Sequence, residues 1–438
     1  MNVAASARQE ARGIAGDSYY EHTVERGQPR PALEGAVEVD VTVIGAGSAG
    51  LHCAIELAEH GLSVALLEAD RIGAAASGRN GGQLLPGFSA DFSVLARDLG
   101  AAGARRAWDM SVEGMAMVEE HARTGALDGC EFRRGWMMLA ARQSHVKGLK
   151  AWHQELTDQL GYGANVEFVD GPAVADLCQA EGFHAALVDH RAAHLNPLKL
   201  MLALARRAES LGVRIFEQSP VISTLAGQST LVRTDRGQVR CRQVVIAANV
   251  FVDALGLPLA RRIMPVGNTM IATEVLPERL ADALCRSRYA ACDTNFMLDY
   301  FRVSADHRLL YGGASTYLRH DGASRAVALE AKMRQRFPGL AGHRVEYAWG
   351  GLIDVTANRA PDFGRLGKHI YYLQGFSGHG LNVSAIGARV VAEAILGNGE
   401  RLALFEQIAH RSFPSSRWLR RGLLSMGTWL YRLRDQLG

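Results

Sequence analysis

Residues 41–50 read Val-Thr-Val-Ile-Gly-Ala-Gly-Ser-Ala-Gly, and no other stretch limits the possible folds of this chain so tightly. Val41, Val43 and Ile44 suit a strand buried on both faces. Gly45, Gly47 and Gly50 follow at the spacing of a strand-to-helix turn. Gly45 permits the tight turn, Gly47 lets backbone N–H groups approach a pyrophosphate, and Gly50 lets helix and strand pack closely. Residues 51–60 continue as a helix with Leu51, Ile55 and Leu57 on one face, Gly61 ends it, and residues 63–67 form the next strand. Glu68 closes the unit, where a carboxylate accepts hydrogen bonds from ribose hydroxyls. Ser48 and Ala49 open the helix, whose unpaired N–H groups and positive dipole end face the phosphates. The unit implies a bound dinucleotide, and Ala69 belongs to the same wall.

The motif alone does not separate FAD from NAD. The following loop does. Ser77, Gly78, Arg79, Asn80, Gly81, Gly82 and Gln83 come after Ile-Gly-Ala-Ala-Ala, a stretch almost without side-chain bulk. So bare a backbone suits close passage along an extended flavin cofactor.

Further pieces accumulate: Ser18-Tyr19-Tyr20, Arg30-Pro31-Ala32-Leu33, Leu298-Asp299-Tyr300, Tyr311-Gly312-Gly313, Tyr347-Ala348-Trp349, Gly364-Arg365-Leu366-Gly367 and Ser377-Gly378-His379-Gly380. With the two glycine stretches, they make the chain resemble the FAD-dependent D-amino-acid oxidase superfamily, the group that includes glycine and sarcosine oxidases. Within it the likeness is to γ-glutamylputrescine oxidoreductases. The resemblance runs from about residue 17 onward. It implies an α/β fold in which a Rossmann-like, GR2-type FAD-binding domain is interleaved with an α+β substrate domain on a largely antiparallel sheet.

Composition narrows the alternatives. A net charge of +3 over 438 residues, without basic runs interleaved with aromatics, gives no nucleic-acid footprint. Six scattered cysteines without a CxxC spacing fit a reducing cytoplasm. Residues 1–16 lack an apolar h-region and are expected to be disordered, and no apolar run reaches spanning length.

In chain order, residues 17–39 are expected as an extended arm. Residues 40–90, 181–250 and 350–398 are assigned to the FAD-binding domain, residues 91–180 and 251–349 to the substrate domain, and residues 399–438 to a helical tail. His190 and His194 are four apart, which would suit a metal only on a helix, and Pro197 argues against that. No metal is expected. Asn196-Pro197 reads as an N-cap followed by Pro at the first helical position. By the resemblance, Val221 lies near the adenine. Ala248 and Asn249 end an apolar strand against the cofactor. Gly375, Phe376, Ser377, Gly378, His379, Gly380 and Leu381 form a second glycine turn into a helix. That helix N-terminus would stabilise negative charge gathering on the reduced flavin.

His379 has two readings: a donor toward flavin or substrate, or a histidine satisfied by backbone. Tyr300, Arg302, Trp349 and Arg359 are the substrate-facing candidates. Arg302 suits a carboxylate bidentately, Trp349 a channel wall or a cationic amine, and Arg359 either faces substrate or braces a loop. Arg302 and Trp349 each also have a purely structural reading, as a surface strand arginine and as core packing. Some relatives attach flavin through a cysteine near the position of Gly351, and no cysteine follows Cys292, so FAD is expected to be non-covalent. The oxygen-activating lysine of those relatives has no counterpart in residues 296–317. The basic, amphipathic segment 417–434 is expected to dock on the protein itself, with membrane contact as the alternative.

The resemblance implies oxidation of an amine C–N bond by hydride transfer to flavin N5, with oxygen or another acceptor taking the electrons. A γ-glutamyl-polyamine leads as substrate. A small amino acid or N-methyl amino acid, and a non-catalytic flavin-binding subunit, are the alternatives.

Overall fold

The computed structural model describes residues 18–125, 128–225, 230–286, 288–316 and 322–414. The segment 417–434 therefore lies outside the described residues, as do residues 1–16.

One sheet carries six strands in the order Asp362–Leu366, Ile370–Gln374, Gln243–Ile246, Val41–Ile44, Val64–Leu67 and Arg214–Phe216. All neighbours are parallel except Asp362–Leu366. The chain leaves Val41–Ile44 toward Val64–Leu67 and later returns to pair on its other side through Gln243–Ile246. Such a reversal opens a crevice at the carboxyl ends of the strands. Alternate residues feed two cores, because both faces are covered. Val41, Val43, Val64 and Leu66 pack beneath the helices Ser48–Glu59, Pro197–Ser210 and Gly380–Ile395. Ile44, Ala65, Leu67, Val244 and Ile246 pack with Val232 and Val239 of a four-stranded sheet.

The second sheet has nine strands. Its pairs are antiparallel except Ala290–Asp293 against Arg133–Leu139. The long strands Ile263–Thr273 and Val345–Thr356 pair along their whole length, with Met270 opposite Trp349. This is the expected mixed architecture, but the expected boundaries are redrawn. Ala185–His194 pairs with Arg133–Leu139 and Val166–Asp170 and so belongs to the large sheet, not the parallel one. The helix Phe92–Thr124 packs on Gly380–Ile395, on the cofactor side. Strand pairing and burial across distant segments decide both, and neither leaves a local signature.

The arm is more than extended chain. Tyr19–Thr23 forms a 3-10 turn that buries Tyr19 and Tyr20, and Gly35–Glu38 pairs in parallel with Gly237–Cys241. His190 and His194 sit on a strand, so the helical spacing a metal pair needs is absent. Asn196 does cap the helix Pro197–Ser210: its side-chain oxygen accepts from the N–H groups of Leu198 and Lys199, both at 3.2 Å.

Candidate active site

A cavity of about 490 Å³ runs from the crevice of the parallel sheet to the face of the large sheet. Its floor is the first glycine turn. Gly45 has φ +105°, and a Cβ there would lie 2.5 Å from the Ala247 carbonyl oxygen. A Cβ on Gly50 would lie 1.8 Å from the Gly45 oxygen. These two positions tolerate no side chain. A Cβ on Gly47 would meet Ser77 Oγ at 2.8 Å, and that hydroxyl accepts from the Ser48 N–H at 2.9 Å. The bare Gly47 thus leaves room for a serine at the helix start.

Glu68 accepts from the N–H groups of Ala46 and Asp70, at 2.7 and 2.8 Å. Burial pushes its carboxyl up, and these backbone donors oppose the shift. Lone pairs on both oxygens remain for ribose hydroxyls. The second turn mirrors the first. Gly375, Ser377 and Gly378 all have positive φ, and the buried Asp354 carboxylate accepts from the Gly375 N–H at 2.5 Å. Neither helix start, Ser48–Glu59 or Gly380–Ile395, has a side-chain cap. The two starts are tied by a Ser48 Oγ···Ser384 Oγ hydrogen bond of 2.6 Å. Two positive helix ends thus converge on one cavity, an arrangement suited to an anionic dinucleotide.

The expected cofactor residues are brought together. Gly45, Gly47, Ser48, Ala49, Glu68, Ala69, Ser77, Arg79, Asn80, Gly81, Gly82, Gln83, Val221, Ala248, Asn249, Ser377, Gly378, His379, Gly380 and Leu381 all line the cavity. Gly50, Gly78 and Gly375 do not; they shape the wall from behind, Gly78 because a Cβ would meet the Gly73 oxygen at 2.2 Å. Together the bare turns, Glu68 and the two helix starts fit an FAD.

The substrate-facing expectations divide. Tyr300 lines the cavity, packs across Gly81 and Gly312, and donates to Asn268 Oδ1 at 3.2 Å. Burial pushes its phenol up, so it stays a donor. His379 also lines the cavity, with Nε2 3.3 Å from the Leu85 oxygen. Burial holds its pKa below the usual value, against the Leu85 and Pro86 carbonyls.

Arg302 and Trp349 do not reach the cavity, and their expected substrate roles are corrected. Arg302 is 2% exposed and donates from Nε to the Gly81 oxygen and from Nη2 to the Leu195 oxygen, both at 3.0 Å. Trp349 is fully buried and donates to the Arg79 oxygen at 2.9 Å. Tyr20 donates to the Asn80 oxygen at 2.9 Å, and the Leu195 N–H to Gly82. Four successive carbonyls of the bare loop therefore each receive a donor from elsewhere in the chain. The loop's own Asn80 amide is spent on the Ala76 and Ser77 oxygens, so these four carbonyls depend on donors from distant segments.

Reading the sequence alone missed Asn268, Asp354 and the rim residues Phe296, Met297 and Leu298, all lining the cavity. Asn268 carried a signal, being the one amide inside the strand Ile263–Thr273. The strand here begins only at Tyr300, and residues 296–299 form a loop before it. Asp293 turns the preceding chain into a loop by accepting from the N–H groups of Asn295 and Asp299, both at 3.1 Å.

Known proteins agree with this geometry. A family model described as FAD dependent oxidoreductase matches residues 40–394. Gamma-glutamylputrescine oxidoreductase of Escherichia coli (strain K12) is 36% identical over 422 residues, which is 96% of this chain and 98% of that protein. A probable oxidoreductase OrdL of Haemophilus influenzae is 34% identical, over 96% of this chain and 97% of its own. Among solved structures, glycine oxidase from Geobacillus kaustophilus superposes with a TM-score of 0.68 at 19% identity, covering 82% of this chain and 95% of its own. With both glycine turns and the crevice between them in place, the chain belongs to the DAO family of FAD-dependent oxidoreductases.

Proposed function

We propose that this flavoenzyme oxidises the C–N bond of an amine that carries a carboxylate at its far end, with a γ-glutamyl-polyamine as the leading substrate. The observation that carries this reading is the continuity of the cavity: from Gly45 and Glu68 it extends without a break to Tyr300, Met270, Ile353 and the rim of Phe296, Met297 and Leu298. An apolar walled passage beside the cofactor cradle suits a methylene chain. The name of the 36% identical relative supports the same substrate class.

FAD, when bound, accepts the hydride that leaves the α-carbon with its electron pair. The protein's part is placement. Tyr300 and Met270 wall the passage, Asn268 fixes the Tyr300 hydroxyl, and His379, held low by burial, adds no positive charge to repel the amine. The amine reacts in its neutral form: it loses hydride and a proton to give an imine, and water releases aldehyde and ammonia. Oxygen or another acceptor then takes the two electrons.

The six cysteines are all free and buried, which supports a reducing, cytoplasmic setting. Among the described residues no helix is long and apolar enough to cross a membrane.

Anaerobic mixing with an amine panel tests the reading. γ-Glutamylputrescine should bleach the visible flavin band faster than putrescine. Faster bleaching by sarcosine, glycine or a D-amino acid would assign the enzyme to small amino acids instead. No bleaching by any of them would leave a flavin-binding protein without this chemistry.

A further inference from the structure

With Arg302 committed to the loop, the cavity still holds a guanidinium without a polar partner. Arg359 lines the cavity. Its guanidinium carbon lies 4.4 Å from the Phe296 ring centroid. Among the described residues that side chain has no hydrogen bond or ion pair; only its backbone N–H donates, to the Thr356 oxygen. The other cavity arginine, Arg79, donates from Nε to the Gly350 oxygen at 2.8 Å. Among the described residues neither Asp354, which accepts from the Gly375 N–H, nor Glu68, which accepts from those of Ala46 and Asp70, pairs with Arg359.

Arg359 also adopts a backbone conformation that favours glycine, with φ +59°. The turn is held there from both sides. Asn358 accepts from the Ala360 N–H at 3.2 Å and donates to the Ala409 oxygen at 3.1 Å. Thr356 Oγ1 donates to the Ala360 oxygen at 2.8 Å. A glycine or asparagine would fit this position with less strain. The strained site instead presents a long cation to the cavity, and strain of this kind collects at ligand clamps.

Its platform is fixed as well. Phe296 sits in the loop that Asp293 organises, and Thr294 anchors the same loop through a 2.7 Å contact between its hydroxyl and His145 Nδ1. Leu298, two residues on, is 40% exposed, so this loop forms the mouth of the cavity.

The geometry points to Arg359, parked on Phe296, as the specificity-determining cation that takes the substrate's remote carboxylate. A guanidinium stacks through its face, and its N–H donors lie in its plane. The Phe296 ring therefore orients the fork without consuming a donor, leaving it open to a bidentate carboxylate. At the mouth, such a contact fixes one end of an extended amine while the other reaches the flavin. This assignment rests on the reading of the enzyme as an oxidase or dehydrogenase of carboxylate-bearing amines.

The test uses FAD-loaded enzyme and the variants Arg359→Gln, Arg359→Lys and Arg359→Gly. In anaerobic rapid mixing, flavin reduction by γ-glutamylputrescine should become roughly 30-fold or more less efficient in Arg359→Gln. Putrescine, which lacks the carboxylate, should change less than about threefold. Arg359→Lys should fall between, keeping charge without the fork. Calorimetric titration with γ-glutamylbutylamide, which keeps the glutamyl end and cannot be oxidised at the far one, should weaken at least about tenfold in Arg359→Gln. Arg359→Gly should lose the same selectivity while melting no lower than the parent, which guards against misfolding as the cause. Equal losses for both amines, no loss for either, or weaker FAD retention with selectivity intact would overturn the role of Arg359 and leave the proposed reaction standing. Failure of the parent enzyme to be reduced by γ-glutamylputrescine would overturn the reaction itself.

Discussion

Arg302 Nε donates to the carbonyl oxygen of Gly81 at 3.0 Å, across 221 positions of sequence. The contact turns a charged residue of the large sheet into a support for the cofactor loop. It also separates two roles that look alike in sequence, holding a substrate carboxylate and holding a backbone.

Replacing Arg302 by methionine should therefore act on the loop. The carbonyls of Gly81 and Leu195 lose their Arg302 donors, and a buried acceptor left unpaired costs about 1–3 kcal/mol. The variant should melt lower and release FAD more readily in dilution, and its reduction by γ-glutamylputrescine and putrescine should fall in parallel. A loss confined to γ-glutamylputrescine would return Arg302 to substrate recognition.

Two glycines should respond in opposite directions to alanine. Gly50→Ala places a methyl group 1.8 Å from the Gly45 oxygen, an obstacle of backbone that cannot swing aside as a side chain would. The loss should reach or exceed the roughly 1–3 kcal/mol usual for overpacking, with little FAD retained after gel filtration. Gly148→Ala, on the helix His145–Gln154 with nothing within 4 Å of the new methyl, should gain about 0.5–1 kcal/mol through helix propensity. Urea midpoints of the pair provide the comparison.

Asp293 and Asp354 make stability depend on pH. Burial pushes each carboxyl up to about 7, with the negative charge of Asp299 adding to the first and Asp362 to the second. A raised carboxylate pKa means that the folded state binds more protons than the unfolded one between about pH 4 and 7. Each group therefore withdraws stability as pH rises through that window, at up to about 1.4 kcal/mol per unit, and adds no further slope above it. Asp293→Asn should remove one such slope. Chemical unfolding of parent and variant at several pH values would show their difference growing in favour of asparagine from pH 4 to 7. A constant difference would mean that Asp293 is ionised throughout.

The flavin should come free on acid precipitation. Cys292 is the one cysteine lining the cavity, and burial, with the nearby Asp293 charge, pushes its thiol up to about 12. So protonated a sulfur is a poor nucleophile. Its Sγ is also engaged with Gln83 Oε1 at 3.0 Å. Yellow colour remaining in the acid pellet would show a covalent link.

What could be read in advance follows the range of the interactions. Gly45, Gly47, Gly50 and Glu68 were legible because a strand, a turn and a helix within thirty residues dictate them. The Asn196 cap was legible for the same reason. Alternation along Tyr300–Val303 sets Arg302 on the same face as Tyr300, but its depth is not a local property. Gly81, Gly82, Leu195 and Tyr20 cover it, and all come from segments that no local pattern joins to residue 302. Trp349 was misread in the same way. Arg359 stayed ambiguous because its meaning depends on Phe296, sixty-three residues away, and on a left-handed turn that the sequence Asn-Arg-Ala-Pro does not announce.

The donors to residues 79–82 also impose an order on synthesis. That loop leaves the ribosome early, as part of the first βαβ unit. Its four carbonyls are met by Tyr20, Leu195, Arg302 and Trp349. The last of these emerges only after some four-fifths of the chain has been made. A nascent chain can thus form the strand and helix around Gly45–Gly50 well before it can hold the loop beside them. FAD capture in its final form cannot precede Trp349, and the second glycine turn follows later still, so chains truncated before Trp349 should leave the ribosome unable to keep the flavin.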